Sequence, residues 1–180
     1  MAAIRPPRVF CDTSILFGNS RFEVVRRCGA DPPTITALWS EWVIGELCYG
    51  LAWKWADEHG TSPSERDRMA TSARRMLRVL IEHLELISLH DVAATEPPEW
   101  LEDAADWPIL AGAMAGNADI LLTNDGALLK RSGGSWGSLR LAAADGFFAE
   151  LDRAVDEELE PDEVAQPTAS KRRRRASVPK

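Results

Sequence analysis

Short apolar runs alternate with longer stretches in which apolar residues recur every third or fourth position. Arg8-Val9-Phe10-Cys11 is continuously apolar after its first residue and ends in Asp12-Thr13-Ser14, which predicts a first strand running into a turn. A helix is predicted over 15–28, stopped by Gly29-Ala30-Asp31-Pro32-Pro33. The apolar stretch 35–39 leads to Ser40, a good helix N-cap, and Val43, Leu47, Leu51 and Trp55 then form one stripe in a helix reaching His59. Ser62-Pro63-Ser64-Glu65 is a capping box with proline at the first helical position. The helix it opens carries Met69, Ala73, Met76, Leu77, Leu80 and Leu84 on one face.

Residues 86–89 fit a short strand, and 90–105, acidic with Pro97-Pro98, fit a loop. Asp106-Trp107-Pro108 opens a helix over 109–115, whose Ala and Gly content lets it sit close against a sheet; Gly116-Asn117 caps it. Ile120-Leu121-Leu122-Thr123 is a second continuously apolar strand, followed by an Asn124-Asp125-Gly126 turn. A Gly/Ser-rich loop is expected over 131–137, a last strand over 139–142, and an amphipathic helix over 145–160 with Phe147, Leu151, Val155 and Leu159 on its stripe. Strands alternating with helices, two of them apolar throughout, predict an α/β fold: a central, mostly parallel sheet with helices on both faces in three layers.

At 180 residues the chain fits one domain, expected over 1–160. From Pro161 onward Pro, Ala, Ser and charge dominate, and residues 161–180 are expected to be a disordered tail. No run approaches the ~20 apolar residues of a membrane helix, and the N-terminus lacks the build of a signal peptide; a cytoplasmic protein without membrane contact is expected. Cys11, Cys28 and Cys48 form no C-x-x-C pair, and His59, His83 and His90 are scattered, so the chemistry is expected to rest on neither residue type.

The net charge of −7 is uneven. Six of the last ten residues are basic and none is acidic, so the first 170 residues carry 15 basic against 28 acidic side chains, or −13. An acidic body is not the usual footprint of a nucleic-acid-binding domain, and it raises the question of carboxylates clustered around metal. The run 171–175 reads first as a solvated basic tail and second as a weak attraction for nucleic acid.

In a parallel α/β sheet ligands bind at the carboxyl ends of the strands. Asp12 follows the first strand and Asp125 the strand at 120–123, so both belong at that edge. Asp106 enters from the same edge if its helix runs antiparallel to the sheet; it also reads as an N-cap, and Asp103 competes for either role. Glu46 lies inside a helix next to Trp42, Val43, Leu47 and Gly50, where a charge is costly unless a cation compensates it. Such carboxylates suit Mg²⁺ or Mn²⁺, which take oxygen ligands. Ser14 and Thr123 fit support roles, bonding a carboxylate or a phosphate, or closing the turn. Asp119 precedes its strand and belongs at the opposite edge, roughly 20 Å from Asp125 and in solvent. The tryptophans Trp39, Trp42, Trp53 and Trp55 read as core or dimer-interface packing before base stacking.

The ordered set Asp12-Thr13-Ser14, Ser40 with Glu46 six residues on, Asp106 followed by Ile109 and Ala111, and Thr123-Asn124-Asp125 resembles the PIN-domain family. It is especially similar to the VapC-like toxin ribonucleases of toxin–antitoxin pairs, over residues 8–152. The resemblance implies a PIN-like fold and an endoribonuclease that uses Mg²⁺ or Mn²⁺. Asp12, Glu46, Asp106 and Asp125 match the family's acidic quartet. It also implies an RNA substrate, a homodimer and a small antitoxin partner. The rival readings are a catalytically inactive PIN-like scaffold and another acidic-pocket α/β protein. A dehalogenase-like phosphatase needs a second Asp that Asp12-Thr13-Ser14 lacks, and a receiver needs an acidic pair that is also missing.

Overall fold

The computed structural model describes residues 5–58, 62–88, 90 and 96–159. The chain runs β1 (Arg8–Cys11), α1 (Thr13–Phe17), α2 (Ser20–Cys28), β2 (Thr36–Ser40), α3 (Glu41–Glu58), α4 (Pro63–His83) and β3 (Glu85–Ile87). A 3-10 turn (Ala104–Asp106) then leads into α5 (Trp107–Ala115), β4 (Ile120–Leu122), α6 (Gly126–Ser132), β5 (Ser135–Trp136), β6 (Leu139–Ala142) and α7 (Ala144–Leu159). The six strands form one sheet in the order β3-β2-β1-β4-β6-β5, parallel except for β5. This is the expected α/β architecture with a mostly parallel sheet.

The central strands are apolar throughout because both their faces are covered. Val9, Phe10, Cys11, Leu121 and Leu122 have no exposed surface, and burying a side chain of this size contributes roughly 1.5–3 kcal/mol. α5 lies against β1, β2 and β4, while α2 and α3 lie against β2. Its small residues allow the close approach: Ala111, Gly112 and Ala113 are buried. A Cβ on Gly116, just past the helix end, would stand 3.0 Å from both Ile87 and Leu38 side-chain carbons.

From β1 the chain steps outward to β2 and β3, then returns to β4 on the other side of β1. Strand order therefore reverses between β1 and β4, and a crevice opens at the carboxyl ends of strands at such a reversal. The register puts Cys11 beside Leu122, so Asp12 and Thr123 leave the sheet side by side.

The structure differs from the sequence expectations in several places. The helix expected over 15–28 is two helices, broken at Gly18-Asn19. The Gly/Ser-rich stretch 131–137 is not all loop: it contains the end of α6 and the strand β5. The strand expected over 86–89 sits at Glu85–Ile87, and the loop over 90–105 ends in the 3-10 turn. The capping box holds, with Ser62 N–H donating to Glu65 Oε2 at 2.9 Å. The tail 161–180, His59, and the side chains of Trp53, Trp55, Val155 and Leu159 lie outside the described residues. Among the described residues no helix is long and apolar enough to cross a membrane.

Candidate metal centre at the carboxyl edge of the sheet

Asp12 is the residue on which β1 and β4 are joined beyond the sheet. Its N–H donates to the Leu122 carbonyl at 3.0 Å, one step past the strand ladder. Its Oδ2 accepts from Ser14 Oγ at 2.7 Å and from Thr123 Oγ1 at 2.6 Å. Each hydroxyl also accepts a backbone proton from the turn after β4: Asn124 N–H donates to Ser14 Oγ at 3.0 Å, and Asp125 N–H to Thr123 Oγ1 at 3.0 Å. Ser14 and Thr123 thus both orient the Asp12 carboxylate and close the turn, the two roles the sequence left open.

Asp125 stands two residues beyond Thr123, at the same edge as Asp12. Its Oδ1 caps α6, accepting from Ala127 N–H at 2.7 Å and Leu128 N–H at 2.9 Å. One of its oxygens therefore has a structural task.

Asp106 occupies the N-cap position of α5 but makes no side-chain capping bond. The 3-10 turn before it is capped by Asp103, whose Oδ1 accepts from Ala105 N–H at 2.8 Å. The Asp106 carboxyl is held above its ordinary value, first by burial and then by the charges of Asp125, Asp103, Asp12 and Glu46. All four residues of the expected quartet act on one electrostatic neighbourhood.

Glu46 reaches the neighbourhood from α3. Its Oε2 accepts from Thr13 Oγ1 at 2.5 Å, and Thr13 is the residue after Asp12. The premise that Glu46 sits among apolar neighbours needs correction. Val43 and Leu47 are fully buried on the inner face of α3. Glu46 shares the outer face with Trp42, Gly45 and Tyr49, around an open depression of about 460 Å³. Its charge is met by the Thr13 hydroxyl and by solvent, so burial alone does not demand a cation there. The bond from Thr13 to Glu46 is the contact at this edge that sequence reasoning missed. The only signal was a hydroxyl directly after Asp12, with no indication of a partner 33 residues away.

Other candidates fall away from this edge. Asp119 is at the opposite edge, as expected, but is engaged there: it accepts from Arg8 N–H at 2.8 Å and Arg5 Nη2 at 3.0 Å. Cys11 is buried beside Asp12, and burial pushes its thiol far above the usual range, so it is held as an uncharged thiol. His83 Nδ1 is paired with the Val79 carbonyl at 2.8 Å, just before β3 begins at the amino edge.

The donor chemistry at the centre is oxygen only, which suits a hard divalent cation. Among the described residues no three acidic, histidine or cysteine side chains close into a ready ligand set. Mg²⁺ does not require such a cage, since it usually keeps several waters and is held by one or two carboxylates. At this edge Asp12 offers a carboxylate oriented by two hydroxyls, and the Asp106 side chain is not used as a cap. No protein-family model matches the chain, and comparison with curated proteins yields no match.

Proposed function

We propose that the protein is a metal-dependent endoribonuclease of the PIN type, hydrolysing RNA phosphodiester bonds with Mg²⁺ or Mn²⁺. The observation that carries the reading is the Ser14–Asp12–Thr123 network. It fixes a carboxylate at the reversal of strand order, with Asp106, Glu46 and Asp125 around it. Asp12 and Asp106 would hold the cation, and Glu46 and Asp125 would complete the site directly or through water. A divalent cation there supplies charge neutralisation at a phosphodiester and lowers the pKa of water. The chain supplies the orientation. Ser14 and Thr123 hold Asp12, Thr13 holds Glu46, and the α6 cap holds Asp125. Neither Cys11 nor His83 is placed to act as a base.

The toxin role, a small antitoxin partner, a homodimer and a cytoplasmic location rest on the resemblance of the motif set. One observation favours the inactive scaffold instead: Asp125 Oδ1 is committed to capping α6. The same experiment separates the two. RNA should be cut with Mg²⁺ or Mn²⁺, cutting should stop with EDTA, and Asp12→Asn should abolish it with the far-UV circular dichroism intact. Full activity in EDTA refutes the metal mechanism. Cation binding without any cleavage supports the scaffold.

A further inference from the structure

The Gly/Ser-rich stretch 131–137 carries one large apolar side chain, Trp136. Gly133, Gly134 and Gly137 have φ of 61°, 86° and 60°, a region that glycine enters without the steric cost other residues bear. They turn the chain from α6 into β5 and from β5 into β6, where Trp136 pairs with Leu139. Trp136 meets two other indoles. Its ring centroid lies 6.4 Å from that of Trp100 at an interplanar angle of 84°, and 5.9 Å from that of Trp107 at 67°. Edge-to-face pairs of this kind are favourable beyond the area they bury. All three rings are half-buried against the core.

Trp100 and Trp107 bracket the segment that holds Asp103 and Asp106. Residues 96–103 form neither helix nor strand, and the Asp106 side chain makes no capping bond. Like charges from Asp125, Asp103, Asp12 and Glu46 press on it. The placement of Asp106 therefore falls to the packing on either side of it. A second tie runs alongside, from Arg131 Nη2 to Glu102 Oε2 at 2.6 Å, but both side chains are exposed and such a bridge contributes little.

We propose that Trp136 is a positioning residue for the carboxylate centre: it clamps Trp100 and Trp107 and so holds Asp106 at the edge that carries Asp12. The clamp stands on the packing of the rings, and its consequence for a cation rests on the metal-dependent reading above. α6 starts on the Asp125 cap and ends four residues before Trp136, so one short run of chain fixes Asp125 at its start and Asp106 at its end. Core packing alone would make Trp136 matter to stability, whereas positioning makes it matter to the cation in a protein that is still folded.

The test uses the full chain with Mn²⁺ alone as the probe. Affinity is read by titration calorimetry at a temperature where far-UV circular dichroism shows each variant folded. Trp136→Ala should weaken Mn²⁺ binding by about 10- to 100-fold, the range for partners that orient metal ligands without touching the ion. Trp136→Phe keeps an aromatic partner for both indoles and should retain most of the affinity. Trp100→Ala releases the clamp from the loop side without touching the sheet. It should show the same loss, and it carries the test if Trp136→Ala does not fold. Val24→Ala is the control, since Val24 is buried on α2, which packs against β2 on the far side of β1 from β5. Its melting temperature should fall while Mn²⁺ affinity stays within about twofold, as for independent sites. Without metal, hydrogen exchange read by mass spectrometry should quicken over 100–106 in Trp136→Ala and Trp100→Ala, where the Ala105 and Asp106 N–H groups bond to Asp103. Mn²⁺ affinity that is unchanged in the folded clamp variants, or lost equally in Val24→Ala, overturns the proposal, and so does unchanged exchange. A wild type that binds no Mn²⁺ while exchange still quickens in the variants sinks the metal reading and leaves the clamp standing. Mn²⁺ binding that survives loss of the clamp does the reverse.

Discussion

Replacing Thr123 by Val removes one oxygen and keeps the shape of the side chain. Thr123 is 0% exposed. Its Oγ1 donates to the Asp12 carboxylate at 2.6 Å and accepts from Asp125 N–H at 3.0 Å. A hydrogen bond to a charged group contributes about 1.5–3 kcal/mol and a neutral one about 0.5–1.5 kcal/mol. The methyl group of Val avoids the cost of burying a hydroxyl, which mutational data put at about 1–3 kcal/mol when unpaired. The net loss should be about 2 kcal/mol, and for a chain of this size that lowers the melting temperature by about 4–8 °C.

The assay is urea unfolding, where the midpoint should fall with an unchanged slope. Part of the loss depends on the charge of Asp12, so a double-mutant cycle with Asp12→Asn should show a coupling of about 1 kcal/mol. Ser14→Ala is the internal comparison. Ser14 serves the same oxygen at 2.7 Å from a more open position, and its loss should be about half as large. A Thr123→Val effect below about 0.5 kcal/mol, the ordinary scatter of surface substitutions, would refute the claim that this hydroxyl ties the two strand ends.

Asp106→Asn should raise the melting temperature at neutral pH. A carboxyl whose folded pKa is raised binds its proton more tightly when folded, so its contribution is favourable at low pH and is lost as pH rises through the folded value. The gain from Asn should therefore shrink on acidification and vanish below the ordinary value of 3.8; a gain independent of pH would contradict this. Mn²⁺ at about 100 times its dissociation constant should stabilise the wild type by about 2.7 kcal/mol, and Asp106→Asn by less; identical melting curves with and without EDTA would count against a cation site. Arg27 is 3% exposed and bonds Glu23 and Asp152, both at 2.7 Å, tying α2 to α7. Arg27→Met should cost only about 1–3 kcal/mol in urea, because Glu23 and Asp152 remain open to water, and a loss above 5 kcal/mol would show that this view of resolvation is wrong.

β1 and β4 were legible because strands buried on both faces must be apolar without interruption, as Val9-Phe10-Cys11 and Ile120-Leu121-Leu122 are. The shared edge of Asp12 and Asp125 followed from strand direction alone. α6 was missed because seven residues are too few to show a helical period. Its start signal was Asp125, which the sequence reading had already assigned to the metal site. The break at Gly18-Asn19 was hidden because apolar spacing continues across it, with Leu16 and Val24 both buried. Glu46 shows a different limit. Its chain neighbours Val43 and Leu47 turn inward while Trp42, Gly45 and Tyr49 turn outward, so adjacency in sequence misjudged its surroundings in space.

The carboxylates at the sheet edge are unequal in what else they do. Asp12 accepts the two hydroxyls that join β1 to β4, Asp125 caps α6, and Glu46 receives Thr13. Neutralising any of these weakens hydrogen bonds as well as removing charge, so a lost activity has to be read beside the variant's circular dichroism and melting curve. Asp106 differs: among the described residues its side chain makes no hydrogen bond, the one side-chain cap nearby is that of Asp103 on the 3-10 turn, and like charges crowd it. The proposed cation, shared with Asp12, would give this crowded carboxyl a role that the fold does not. Asp106→Asn is therefore the substitution that separates the site from its scaffold. A variant that is more stable, binds Mn²⁺ less well and cuts no RNA would place Asp106 in the chemistry, whereas a more stable variant with full activity would remove it from the site.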